Sequence, residues 1–219
     1  MAAAVDDLPQ VIADLERCIE LAHPQLLPRL RPGLSREAIE GIARPLSPYH
    51  LPAELLTVYQ WRDGWVELAD GEYHDLLPDA TFNSLSEAVE THTTWWEALG
   101  SDGWHPLWFP AFGTQTGEQV ALQLEPERPA GAVYAFHEDT GLETSYDSVA
   151  TLFATALELW RAGALPVEDH TYLPVGLREI QARLNPLSRD STGTCRRELS
   201  RFSTEDWPSA WREVLGRSP

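Results

Sequence analysis

The sequence predicts an α+β fold: a central, mostly antiparallel β-sheet flanked by helices, followed by a helical C-terminal extension. Three observations carry this. Apolar residues recur at helical spacing near the N-terminus, short alternating segments follow one another between Trp104 and Tyr146, and helical spacing returns at Val149. Consecutive strands with short connections favour antiparallel pairing, and helices gathered before and after them favour α+β over alternating α/β order.

The first helix is expected from Asp7 to Ala22, with Leu8, Val11, Ile12, Leu15, Ile19 and Ala22 on one face. Asp6 and Asp7 suit its positive end, and Pro24 and Pro28 terminate it. Arg31-Pro32-Gly33-Leu34 reads as a turn. Ser35 then caps a short helix, Arg36–Ala43, with Ile39 and Ile42 inward. A third helix opens at His50–Glu54, where Pro52 lacks only an N–H that would have no intrahelical partner. Leu51, Leu55, Leu56, Val58 and Tyr59 form its apolar stripe, and Gly64 is its expected C′ residue. Trp65–Leu68 reads as a short strand and Asp70-Gly71-Glu72 as a turn.

Ser84 and Glu87 have the spacing of a capping box for a helix reaching Leu99, with Gly100 and Gly103 as its stop. Strand character begins at Trp104, and Pro106–Pro110 suits an edge or a strand start. Glu118–Leu124 and Gly131–Phe136 alternate polar and apolar and read as an antiparallel pair. Gly141–Tyr146 is the third strand, after the Asp139–Gly141 turn. Ser148 caps a helix from Val149 to Ala162 that Gly163 ends. Beyond it lie a short helical patch (Leu177–Leu184), a polar Arg-rich connection (Asn185–Ser203) and a last helix (Trp207–Leu215). The expected organisation is one α+β domain over residues 1–165 and an extension over residues 166–219.

Charge is distributed unevenly. Of a net −18, the stretch Glu54–Asp147 carries −16, from eighteen acids against Arg62 and Arg128. That excess argues against nucleic acid and anionic lipid as direct ligands, which need cations to displace counterions. It favours a cationic partner, whose approach it would steer. All sixteen bases are Arg, so lysine Schiff-base chemistry and a P-loop are excluded. Six of the nine tryptophans lie between Trp61 and Trp108. Most are expected in the core, but Trp95 and Trp96 cannot point the same way on a helix, so one of them is expected near the surface.

Catalytic and metal signatures are missing. Glu72, His74 and Asp75, and His137, Glu138 and Asp139, lack the spacing that sets two ligands on one helix face, and read as solvated loops. No G-x-S-x-G elbow occurs, and Gly113–Gly117 lacks the lysine of a phosphate loop. Cys18 and Cys195 form no C-x-x-C motif and are expected as reduced thiols. The N-terminus lacks the basic and apolar regions of a signal peptide, and no window offers the roughly 20 apolar residues of a membrane span, so a cytoplasmic protein is expected.

The order of motifs resembles the SUKH superfamily, which includes fungal cell-wall-assembly regulators and many bacterial proteins. The resemblance rests on Leu51–Gly64, on Leu76-Leu77-Pro78 with Phe82–Val89, on Trp108–Phe112 with Gln119–Leu124, and on Gly131–Tyr134 with Tyr146–Phe153. It covers about residues 34–163. It implies the same α+β fold and a non-enzymatic protein-binding role, with many bacterial members looking like immunity proteins against toxins of competing cells. Such toxins are often nucleases with basic clefts, which an acidic face would fill.

The expected function is therefore an immunity protein whose partner is a basic, cognate toxin domain, with no catalytic residue, metal or cofactor. Candidate partner contacts are Asp63, Trp65, Glu67, Asp70, Glu72, Asp75, Asp79, Glu138, Asp139 and Glu143. The alternatives are a regulatory or carbohydrate-binding scaffold linked to cell-wall assembly, and a hydrolase built on a carboxylate pair.

Overall fold

Apolar residues at helical spacing bury one face of helix α1 (Leu8–Ala22), where Leu8, Ile12, Leu15 and Ile19 leave solvent, and Asp7 caps it by accepting the Gln10 N–H at 3.2 Å. The computed structural model describes residues 7–66, 76–77, 80–104, 106–113, 119–124, 133–137, 141–146, 148–163 and 165. The fold they form is α+β. The extension expected over residues 166–219 lies outside the described residues.

Strand β1 (Leu30–Pro32) replaces the expected turn. It pairs antiparallel with β2 (Arg62–Trp65), Leu30 opposite Trp65. Helix α2 (Arg36–Ile42) begins as expected on Ser35, whose Oγ accepts the Ala38 N–H at 3.2 Å, and buries Ile39. Helix α3 (Ala53–Trp61) buries Leu55, Val58 and Tyr59. The chain enters β2 directly from α3, at Arg62; of the strand expected at Trp65–Leu68, Trp65 ends β2 and Val66 follows it, while Glu67 and Leu68 lie outside the described residues. Gly64 thus lies inside β2 and is no helix cap. Its φ is +75°, and a Cβ there would lie 2.4 Å from the Ser84 nitrogen. Glycine is required because a left-handed residue must pass against another backbone.

The larger sheet has the order β3 (Thr81–Phe82), β4 (Trp108–Gly113), β5 (Gln119–Gln123), β6 (Val133–His137), β7 (Gly141–Tyr146), every pair antiparallel. The expected β5–β6 pair and third strand β7 are present. Trp104, in contrast, precedes β4 rather than opening it, and Pro110 sits inside a central strand. The β4–β5 register shifts between Phe109 and Phe112, so the missing proline N–H falls in an irregularity of the ladder. Asn83 completes the other side: its side-chain amide donates to the Pro110 carbonyl at 3.1 Å, and its N–H to the Ala111 carbonyl at 3.2 Å.

Helix α4 (Leu85–Gly103) runs through Gly100, past the expected stop at Leu99. Helix α5 (Val149–Arg161) buries Leu152, Phe153, Ala156, Leu157, Leu159 and Trp160. Neighbouring β5 residues Ala121 and Leu122 belong to different apolar clusters, so the sheet separates two layers. The main core joins α1, α3 and α5 to Phe82, Phe112 and Phe153, with ring centroids 5.6 Å apart for Phe82–Phe112 and 6.5 Å for Phe112–Phe153. Trp160 anchors it further by donating Nε1–H to the Leu76 carbonyl at 3.0 Å. The smaller cluster gathers Trp95, Trp96 and Trp108 around buried Trp104 and Ala121.

Candidate partner-binding surface

A helix leaves N–H groups without intrahelical partners at its start, and a carboxylate placed there satisfies them. Among the described residues, three acids of the charged middle stretch do this work. Asp63 Oδ1 accepts the Leu85 N–H at 2.8 Å, at the start of α4. Glu87 Oε2 accepts from the Ser84 N–H at 2.8 Å and the Ser84 hydroxyl at 2.7 Å, while Ser84 Oγ accepts the Glu87 N–H at 3.2 Å, completing the expected capping box. Glu54 Oε2 accepts the Val149 N–H at 3.0 Å and so ties α3 to the start of α5, 95 residues along the chain.

Their electrostatics differ. Burial pushes the Asp63 carboxyl above its ordinary value against the pull of the Leu85 N–H and Arg31, and Glu87 pushes the same way as burial. Burial likewise raises Glu54 against its two backbone hydrogen bonds. Burial would raise Glu87 too, but the two-pronged Arg31 guanidinium at 3.3 Å and the Ser84 hydrogen bonds outweigh it, and that carboxyl is lowered. What Asp63 supplies to the fold here is a hydrogen-bond acceptor at the start of α4. Asp63→Asn keeps the acceptor and is expected to cost under about 1 kcal/mol, whereas Asp63→Ala removes it and should cost about 1–2 kcal/mol. Urea midpoints of the two variants check this; equal losses would contradict it.

The indoles also serve the fold. Trp65 is 9% exposed and Trp104 is 1% exposed, while Trp61, Trp95, Trp96 and Trp108 are half-buried. Trp95 and Trp108 meet Trp104 edge-on, with centroids 4.8 and 5.7 Å away. Trp95 and Trp96 thus share one cluster, and neither is the exposed anchor that their adjacency suggested. Beside them His92 is buried, with Nδ1 2.8 Å from the Trp108 carbonyl. Trp104 Nε1 also lies 3.3 Å from Nδ1, but a carbonyl only accepts, and the shorter contact assigns the proton to Nδ1, which donates to Trp108.

Burial lowers the His92 pKa, partly offset by the Trp108 hydrogen bond. A histidine whose folded pKa is depressed stabilises the fold above its unfolded pKa of about 6.5 and loses that contribution as pH falls toward the folded value. The urea midpoint is therefore expected to drop between about pH 7 and pH 5, and to drop less in His92→Gln. Parallel pH profiles for the two chains would contradict the assignment.

Of the residues expected at a partner surface, Asp63 and Trp65 are thus engaged in the fold: a helix cap and a core side chain. Glu67, Asp70, Glu72, Asp75, Asp79, Glu138 and Asp139 lie outside the described residues. Glu143 is on β7, opposite Ala135 of β6. The backbone brings several of their neighbours together. Register aligns Thr81, Gly113, Gln119, Phe136 and Leu142 across the five strands. The strand ends next to Asp79, Glu118, Glu138 and Asp139 therefore belong to one end of the sheet, with Glu143 one residue beyond Leu142.

A feature that sequence reasoning missed lies on α1. Ala13, Glu16, Arg17 and Glu20 form one helical stripe and, with Leu27 and Arg62, line an open groove of about 610 Å³. Arg62 reaches Glu16 in an ion pair and lies 6.0 Å from the Trp61 ring centroid. The available signal was the isolation of Arg62 among acids, since it is one of two cations between Glu54 and Asp147. Among the described residues, no three His, Cys, Asp or Glu converge to hold a metal ion, and no helix is long and apolar enough to cross a membrane. No family model matches the chain, and no curated protein matches it.

Proposed function

We propose that this chain is a non-enzymatic binding module for a basic protein, in the role of an immunity protein that neutralises a cognate bacterial toxin. The observation that carries the reading is the sorting of the acids. Asp63, Glu87 and Glu54 are engaged at helix starts. Eleven of the eighteen acids of the middle stretch fall instead in segments between the described elements. Four of those, Asp79, Glu118, Glu138 and Asp139, adjoin strand ends aligned at one end of the sheet. Carboxylates concentrated there would steer a cationic surface and set its orientation. The resemblance of the motif order in Leu51–Gly64 and the segments after it to the SUKH superfamily points to the same role.

The experiment is affinity purification with the tagged full chain. A protein with a strongly basic surface is expected to co-purify at low salt and to elute as salt rises, because exposed charge pairs are screened beyond a Debye length of about 8–10 Å near physiological ionic strength. Co-purification of an acidic protein, or of none, would contradict the reading.

A further inference from the structure

The larger sheet ends on β7, which pairs antiparallel with β6 and, among the described residues, with no other strand. In an antiparallel ladder alternate residues turn their N–H and C=O toward the neighbouring strand, and the residues between them turn theirs away. Alternate β7 residues therefore present backbone donors and acceptors outward, as a template for one more strand. The register is regular from Gly141 to Thr144, opposite His137 to Tyr134, and then shifts, with Tyr146 opposite Val133. Ser145 is thus the extra residue of an irregularity, and Gly141–Thr144 is the straight part of the edge. The opposite edge offers less, because β3 has only two residues, both buried.

Charge selects which strand can join β7. Glu143 lies in the straight stretch. Glu138 and Asp139 belong to the three-residue connection between His137 and Gly141, and Asp147 directly follows Tyr146. No Lys or Arg occurs from residue 129 to residue 160 to offset them. A second copy of this chain would bring the same acids edge to edge, and like charges opposed across strands destabilise the pairing. A strand with Lys or Arg at alternate positions brings opposite charges instead, which favours it.

We propose that β7 is the seat for an extended cationic segment, through which the basic partner adds a sixth strand to the five-stranded sheet. The proposal rests on the reading of this chain as a binder of a basic protein and says how that partner is held. Main-chain hydrogen bonds to Gly141–Thr144 supply affinity. Lys or Arg on one face of the incoming strand meets the acids of β7 and its flanks, which sets specificity.

The test uses the full chain and a synthetic peptide of alternating Arg and Val, with amide hydrogen exchange read residue by residue. Alternate amides of Gly141–Thr144 are expected to exchange fast in the free chain. Saturating peptide should slow those amides at least about tenfold, because they become hydrogen-bonded. The same peptide N-methylated at every residue keeps its charge but has no main-chain donor, and should slow them far less. No slowing at saturation, equal slowing by the two peptides, or slowing at β3 in place of β7 would overturn the proposal. A basic protein that co-purifies yet leaves these amides exchanging fast would overturn the β7 seat and leave the functional reading standing. Protection of β7 by the peptide, with no basic protein co-purifying, would support the seat and overturn the functional reading.

Discussion

Gly64→Ala is expected to destabilise the fold by on the order of 3 kcal/mol, lowering the melting temperature by roughly 6–12 °C. Two costs combine. An alanine at φ +75° occupies the left-handed region, and its Cβ would meet the Ser84 nitrogen at 2.4 Å and the Asn83 carbonyl carbon at 2.6 Å. Those atoms are backbone at the start of α4, and Asn83 also completes β4 at Pro110, so neither can step aside cheaply. The same contact positions Asp63 for the Leu85 N–H. Strain at Gly64 should therefore loosen the cap and the β4 irregularity together. Gly41 provides the contrast. It lies in α2 with nothing within 4 Å of an added Cβ, so Gly41→Ala is expected to stabilise by about 0.5–1 kcal/mol through helix propensity. Thermal melts of both chains check the pair. A neutral Gly64→Ala would mean that β2 and α4 do not meet as described.

The second large effect is on binding. Neutralising Asp79, Glu138, Asp139 and Glu143 to their amides is expected to slow association with the basic partner by roughly ten- to a hundredfold, with a urea midpoint close to that of the parent chain. The reasoning separates two kinds of carboxylate. Glu54, Asp63 and Glu87 hold helix starts, so changing them should alter stability before it alters binding. The acids next to the aligned strand ends adjoin one end of the sheet in sequence and register, so changing them is expected to alter the field that a partner meets. Parallel loss of stability and binding in the neutralised chain would contradict that division.

How far the fold was legible follows from how local each signal is. The helix starts at Ser35, Ser84 and Ser148 were readable because a cap and its N–H lie three residues apart. The β5–β6 pair and β7 were readable because alternation and short connections are local too. The β1–β2 pair was not, since Leu30 meets Trp65 across the whole of α2 and α3. Gly64 was recognised as a special backbone position, but its neighbour, the chain at Asn83–Ser84, comes from a distant segment. Pro110 suggested an edge because nothing nearby in sequence foretold that Asn83 would complete the interrupted ladder.

The surface was less legible than the fold. Composition located the acids but did not distinguish a capping acid from a free one. Glu54 reads as an ordinary first-turn residue of α3 until α5 arrives beside it. The adjacency of Trp95 and Trp96 suggested one indole near the surface, yet both pack half-buried with Trp108 around Trp104, while Trp65 and Trp104 are core as expected of most of the cluster. Large indoles removed from water stabilise a small second layer, and that use accounts for their concentration in sequence.

The division of the acids is tested most directly by the association rate of the co-purified partner, measured by stopped flow from about 50 to 500 mM salt. The rate is predicted to fall at least about tenfold across that range for the full chain and to change little for the chain neutralised at Asp79, Glu138, Asp139 and Glu143. A rate independent of salt, or the same salt slope in both chains, would contradict an electrostatic role for those carboxylates.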